Sequence, residues 1–330
     1  MSDAHLISRF DALLSDLDGV VYAGPHAIPG AVESLQRLAG IGVGLGYVTN
    51  NASRTPAQVA AHLRELGAPA EDQQVVSSSQ AGADLLASML SPGAPVLITG
   101  SPALAHEVEL VGLKPVHGAE DKPVAVVQGF NPAIGWKELA EASFVLADGD
   151  VLWVATNTDM SIPQARGMAP GNGTLVGAVA AATGRRPLVA GKPEAPLFHA
   201  AAKRLSSDRP LVVGDRLDTD ILGGNRAGFA TVAVLTGVDT LETMLAARAE
   251  ERPRYIIRDL AGLYEAYPEI DNDGGTFRCG NATATVAGDT IRVAGLKGDL
   301  DSWRAACAAW WAAHPDADVP TAPELEWLDQ

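Results

Sequence analysis

The amino-acid sequence predicts an α/β protein. The alternation of strands and helices reads as parallel βαβ units of a doubly wound sheet, with a small α+β region at the C-terminus. Three observations predict this. Short apolar runs alternate with helical patterns along most of the 330 residues. The runs tend to end in polar, acidic or glycine residues. The composition is 47% hydrophobic, enough to fill a sizeable core.

The elements follow in order. ALLSDL (12–17) reads as a buried strand and AVESLQRLAG (31–40) as a helix that ends at Gly40. VGLGYVTN (43–50) is a second strand. Thr55 reads as an N-cap with Pro56 at the first helical position, and that helix stops at Gly67. QVVSS (74–78) is a third strand. PVLITG (95–100), a helix near 102–111, VAVVQGF (124–130), a helix near 134–147 and VLWVATN (151–157) repeat the alternation. A loop rich in proline and glycine is expected from Met160 to Gly173, then helices near 174–183 and from Pro196. PLVVGD (210–215), a helix near 219–227, FATVAVL (229–235) and YIIRD (255–259) complete the pattern. DNDGG (271–275) has linker composition. ATATVAGDTIRVAGL reads as a hairpin turning at Gly288-Asp289, and Ser302 to His314 as an amphipathic helix bearing Trp303, Trp310 and Trp311.

Composition excludes several functions. A net charge of −16 disfavours a nucleic-acid partner, which needs a basic surface. The first ten residues lack the pattern of a signal peptide, and no run approaches a membrane span, so a cytoplasmic protein is expected. The sequons at Asn51, Asn172 and Asn281 then carry no glycosylation. Cys279 and Cys307 read as two buried thiols in a reducing compartment, although an isolated disulfide is an alternative. GIGVGLG (40–46) has its glycines at every second residue and enters a strand, so it fails as a dinucleotide fingerprint. DNDGG has Ala282 where a calcium loop needs a bidentate glutamate. The histidines are scattered and lack ligand spacing.

Four segments carry chemistry. Asp16 and Asp18 lie two residues apart on an extended chain, so both carboxylates point the same way. At the carboxyl edge of a parallel sheet, one can attack phosphorus while the other gives a proton to the leaving oxygen. Taken alone, the motif is equally a turn that uses Asp and Gly. Thr49-Asn50-Asn51 closes another strand with a hydroxyl and backbone N–H groups suited to phosphate oxygens. Lys192, between Gly191 and Pro193, can neutralise a nucleophile and a phosphate. Gly214-Asp215-Arg216-Leu217-Asp218-Thr219-Asp220 supplies hard oxygen ligands for Mg²⁺, or acids that favour a helix N-terminus, a role that fits Asp218.

DLDGV, TNN, GKP and GDRLDTD, in that order at strand ends, resemble the four motifs of the haloacid dehalogenase superfamily over roughly residues 8–265. The resemblance implies a Rossmann-like core and a Mg²⁺-dependent phosphatase. Asp16 would be the nucleophile and form an aspartyl phosphate. Asp18 would be the acid and base. Asp16, Asp215 and the Asp18 carbonyl would hold the metal, with Asp220 behind them. Thr49, Asn50 and Lys192 would hold the phosphate, and Asn51 and Arg54 lie just beyond. The long insert resembles the large α/β cap of the glycerol-3-phosphate, phosphoglycolate and pyridoxal phosphate phosphatases. The implied domains are a core of 1–81 and 181–268, a cap of 82–180 and an appendage of 269–330. Homo-oligomerisation through the cap is one expectation.

The loop after the last cap strand reads Met160-Ser161-Ile162-Pro163-Gln164. An aliphatic Ile162 offers no stacking surface for an aromatic ring. The loop is similar to that of the glycerol-3-phosphate and phosphoglycolate enzymes. The resemblance therefore implies a small aliphatic phosphate, glycerol 3-phosphate first, with phosphoglycolate, nucleotide, sugar or pyridoxal phosphates as alternatives. Ile162 packed inside the cap is the structural alternative. The C-terminal region loosely resembles an acetyltransferase fragment, without an acetyl-CoA loop. It is expected to dock and hide its tryptophans. A regulatory binding protein on a degenerate core is the reading from another class.

Overall fold

The computed structural model describes residues 5–147, 149–164 and 166–328. The chain divides into two compact units. One comprises the chain up to residue 45, residues 66–69 and the chain from 205 onward; the other comprises 46–65 and 70–204. The division falls inside the strand Gly44–Thr49.

The first unit is built on parallel strands in the order Tyr255–Ile257, Ala230–Val234, Pro210–Gly214 and Ala12–Ser15. Leu13 pairs with Leu211 and Leu14 with Val212, and all four are buried. Such unbroken apolar runs are what a strand covered on both faces requires. The helix Ala31–Gly40 buries Ala31, Ser34, Leu35 and Leu38, the stripe its spacing predicts. The helix expected near 219–227 begins instead as a π-turn, Leu217–Ile221, and becomes α-helical over Leu222–Arg226. The Ile221 N–H reaches back five residues to the Arg216 carbonyl at 3.2 Å.

The C-terminal region lies in the same unit. The DNDGG segment is not a linker. Ile270–Asp273 and Thr276–Cys279 form a hairpin across Gly274 and Gly275, whose φ values are 58° and 91°. Glycine adopts that left-handed backbone without strain. An exposed edge strand needs no apolar alternation, which is why composition suggested a linker. Ala282–Ala287 and Thr290–Ala294 form the expected hairpin, and Glu324–Leu328 adds a parallel fifth strand. The helix Leu300–Ala313 covers this sheet. Trp303 and Trp310 are buried, in one core with Leu217, Ile221, Met244, Leu245 and Ile256. Trp311 is half-buried against it and hydrogen-bonds the Leu245 carbonyl.

In the second unit Tyr47 pairs with Val75 and Thr49 with Ser77, in parallel. Thr55 and Gln58 cap the helix Pro56–Glu65 reciprocally. A five-stranded parallel sheet follows, in the order Leu188–Val189, Leu152–Ala155, Ala125–Gln128, Pro95–Thr99, Lys114–Val116. The helices Trp136–Leu146 and Asn172–Thr183 share a core with it. The helix Ser78–Met89 is added to the sequence reading; Ser77 and Gln80 form its capping box. The expected loop over 160–173 contains an antiparallel hairpin, Ser161–Gln164 with Gly167–Pro170. Backbone pairing makes that hairpin, so no side-chain pattern announces it.

Candidate active site

The first strand delivers Asp16 at its carboxyl end, where the Asp16 N–H extends the parallel ladder to the Val213 carbonyl at 3.0 Å. The chain then turns sharply. The N–H groups of Val20, Val21 and Tyr22 all aim at the Leu17 carbonyl, at 2.8–3.3 Å. Asp18 is exposed on this turn and Asp16 is half-buried below it. The neighbouring strand ends in Gly214 and delivers Asp215, which is 3% exposed. Asp220, 1% exposed, returns from the π-turn and accepts from the Arg216 N–H at 3.2 Å.

Asp16, Asp215 and Asp220 each offer a carboxylate oxygen, and the three oxygens lie within 4.8 Å of one another. Three charges so close repel strongly in a buried site unless a cation or protons join them. An all-oxygen set of this kind fits Mg²⁺. Room for two of these carboxylates is kept by glycines. A Cβ on Gly19 or on Gly237 would collide with the Asp215 carboxylate, and one on Gly214 would collide with Asp220. The segment Thr236–Asp239 wraps Asp215. The Val238 N–H donates to Asp215 Oδ2 at 2.8 Å, and the Thr236 hydroxyl donates to the Gly19 carbonyl at 2.6 Å. Asp239 accepts from the Leu217 N–H at 2.6 Å. Sequence reasoning missed Thr236, Gly237 and Asp239. Their one signal is their place just after the strand Ala230–Val234. Asp218 stands apart, paired with Arg216 on the surface at 2.9 Å.

Within the second unit, Asn50, which follows Thr49, meets Lys192. Thr49 is buried, and its hydroxyl accepts from the Asn51 N–H at 3.1 Å while keeping its own proton to donate. Asn51 is exposed, and its side chain closes a turn onto Ser53 at 2.8 Å. Arg54 is exposed and Ile162 half-buried. Lys192 is 3% exposed. The Asn50 amide faces the main chain of Lys192, accepting from its N–H at 2.8 Å and donating to its carbonyl at 3.1 Å. The same amide donates to both carboxylate oxygens of Asp159, each at 3.2 Å. Asn157 and Ser78 hold the Asn50 carbonyl at 2.7 and 2.8 Å. The sequence reading assigned no role to Asp159 or Asn157. The cue lay in ATNTD, polar residues closing an apolar strand.

Residues 13–114 match the haloacid dehalogenase-like hydrolase family, and residues 189–263 match a second description of such hydrolases. The chain is 44% identical to a D-glycerol 3-phosphate phosphatase of Mycobacterium tuberculosis, over 96% of this chain and 90% of that one. It is 39% identical to a glycerol-3-phosphate phosphatase of Gallus gallus, over 79% of this chain and 93% of the other. Among solved structures it resembles a glycerol phosphate phosphatase of M. tuberculosis in complex with magnesium. The TM-score is 0.89 at 42% identity, covering 99% of this chain and 96% of that one. Paired carboxylates at adjacent strand ends, a lysine on its own cradle and these relatives lead to one conclusion: the chain belongs to the haloacid dehalogenase-like hydrolases.

Proposed function

We propose that this protein is a Mg²⁺-dependent phosphatase that hydrolyses glycerol 3-phosphate through an aspartyl phosphate. The carboxylate cluster of Asp16, Asp215 and Asp220 is the observation that carries the chemistry. The substrate is supported by the 44% identity, along nearly the whole chain, to an enzyme named for it.

A carboxylate oxygen of Asp16 attacks phosphorus, and the bond to the leaving glycerol oxygen breaks. Asp18, exposed beside it, gives that oxygen a proton. Asp18 then takes a proton from water as the water attacks phosphorus, and the Asp16–phosphate bond breaks to release inorganic phosphate. Asp16, Asp215 and the Asp18 carbonyl would hold Mg²⁺, with Asp220 behind them, and the ion would supply positive charge that offsets the phosphoryl oxygens. Thr49 donates its hydroxyl, Asn50 its backbone N–H and Lys192 its charge to the phosphate. Asn51, Arg54 and Ile162 are the proposed positions for substrate selection.

The Mg²⁺ requirement and the substrate are tested together. Phosphate release is measured from glycerol 3-phosphate, phosphoglycolate, sugar phosphates, nucleotides and pyridoxal phosphate. The expected result is the highest kcat/KM for glycerol 3-phosphate, silence in EDTA, and recovery with Mg²⁺ but not Ca²⁺, whose larger shell fits a compact octahedral site poorly. A higher kcat/KM for an aromatic or sugar phosphate overturns the substrate. Absence of turnover on every member favours a binding protein instead.

The cytoplasm is the proposed compartment. Cys279 and Cys307 are buried and form no disulfide, and burial pushes the Cys279 thiol up to about 12. We also propose self-association through the helix Trp136–Leu146, which exposes Trp136 and Phe144. Sedimentation of Trp136→Glu against wild type tests it, and equal masses reject it.

A further inference from the structure

We infer that Asp159 is a positioning residue for Lys192 and acts on it through the side-chain amide of Asn50. The inference rests on the phosphatase reading and deepens it, because it says what holds the proposed phosphate-binding lysine in place.

The Asn50 amide pairs with Lys192 in both directions: Oδ1 accepts from the lysine N–H at 2.8 Å, and Nδ2 donates to the lysine carbonyl at 3.1 Å. This is how one peptide group pairs with another in a sheet, here done by a side chain 142 positions away. Two opposed bonds fix the lysine backbone against both sliding and rotation. The side chain therefore starts from a set point.

An amide is nearly symmetric in shape but not in charge. Flipped end for end, the Asn50 oxygen would face the lysine carbonyl and its NH₂ would face the lysine N–H. Two attractions would become two repulsions. Asp159 selects the working orientation. Its carboxylate can only accept, and it lies 3.2 Å from Asn50 Nδ2 through both oxygens. A flipped amide would set oxygen against that carboxylate as well.

The surroundings hold Asp159 and Asn50 as a pair. The Asp159 N–H donates to Asn157 Oδ1 at 3.2 Å, while Asn157 Nδ2 donates to the Asn50 carbonyl at 2.7 Å. Gly191 permits the close approach. A Cβ there would sit 2.6 Å from Asn50 Oδ1 and collide with the Thr156 carbonyl. Thr156, Asn157 and Asp159 all follow the strand Leu152–Ala155, so one strand end aims the whole device.

The test is a double-mutant cycle on the full-length enzyme with glycerol 3-phosphate. The kcat, KM and melting temperature are measured for Asp159→Ala, Asn50→Ala and the double variant. Asp159→Ala is expected to lower kcat by about 10–100-fold, as loss of a supporting partner typically does, with KM changed far less. The double variant is expected to be no slower than Asn50→Ala alone, because the inferred route from Asp159 to Lys192 runs through the Asn50 amide. Asp159→Asn, whose amide oxygen still accepts, is expected to recover most of the rate. Independent, multiplicative losses overturn the inference, as does an Asp159→Ala effect carried in KM. A wild-type kcat in Asp159→Ala overturns it too. If Asp159→Ala fails to fold, Asp159→Asn decides: a near-wild-type rate supports the inference and a rate lowered 10-fold or more rejects it. Failure of the phosphatase reading is distinguishable, since wild type would then release no phosphate.

Discussion

The carboxylate cluster and the lysine cradle solve opposite electrostatic problems. Asp16, Asp215 and Asp220 are like charges gathered within 4.8 Å. They need a cation or protons to sit together, and glycines at 19, 214 and 237 leave room around them. Lys192 is a single buried residue whose backbone is gripped by an amide. The acid site is assembled by adjacent strand ends and its charges are the working parts. The lysine site is assembled by hydrogen bonds, and most of its residues hold rather than react. The difference teaches where substitutions should hurt. On the acid side, charge changes should dominate. On the lysine side, shape changes should.

The largest effect is expected at Asp16. Asp16→Asn keeps the shape and removes the nucleophile, so turnover should fall by at least about 10⁴-fold with the melting temperature preserved. Steady-state phosphate release near the wild-type rate would break the comparison at its base. Asp18→Asn should cost about 10²–10⁴-fold, the usual worth of proton transfer. A fully active Asp18→Asn enzyme would assign the acid role to another group.

A matched pair of glycine substitutions sharpens the contrast. An added Cβ at Gly237 meets the Asp215 carboxylate and, at 2.5 Å, the Asp215 Cβ, so Asp215 itself must be displaced. Gly237→Ala should therefore raise the Mg²⁺ concentration for half-maximal rate by about 10–100-fold, along with a loss of stability. An added Cβ at Gly191 meets the Thr156 backbone carbonyl, which cannot swing. Gly191→Ala should cost about 1–3 kcal/mol of stability and lower kcat, with the Mg²⁺ requirement unchanged. A Mg²⁺ titration and a thermal melt of each variant separate the two. The same response from both would mean that the two regions are not distinct.

The same contrast explains what the sequence showed. Asp16, Asp18, Thr49, Lys192, Asp215 and Asp220 stood out as candidates because each lies next to an apolar run that reads as a strand or follows one, and the structure gathers the carboxylates of Asp16, Asp215 and Asp220. Most strands and helices were legible for the same reason, through their alternation. Asp159 and Gly237 were not legible as site residues. Their roles depend on which distant chain comes close, and no local period encodes that. The hairpin over 161–170 and the edge strand Ile270–Asp273 escaped because backbone pairing, rather than apolar patterning, makes them. The π-turn at Leu217–Ile221 escaped too, since a helix start and a π-turn share the same acidic composition.

The C-terminal region should influence the acid side through packing. Leu217 and Ile221, which bracket Asp218 and Asp220, share a core with Trp303 and Trp310. Trp303 also hydrogen-bonds the Lys297 carbonyl at 2.8 Å. Trp303→Ala should cost about 3–5 kcal/mol of stability, as a buried aromatic truncation typically does. A truncation ending at Glu269 should be less stable or aggregate. An unchanged melting temperature in a soluble truncation would show that the region is not needed to cover that core.

The smallest effect is expected at Asp218, and it is the finest test of the division. Asp218 lies between Asp215 and Asp220 in sequence, yet its carboxylate is not in the cluster. It pairs with Arg216 at 2.9 Å, and their side chains are 58% and 46% exposed. Exposed pairs of this kind contribute about 0–1 kcal/mol. Two roles remain for it: favouring the start of the turn and holding Arg216 aside. Neither touches the reaction. Asp218→Ala should therefore leave kcat and the Mg²⁺ requirement within experimental error of wild type. Asp220→Ala, which removes a buried member of the cluster, should weaken Mg²⁺ binding. Equal weakening in both variants would mean that charge density along the whole segment, rather than the converged cluster, sets the affinity for the cation.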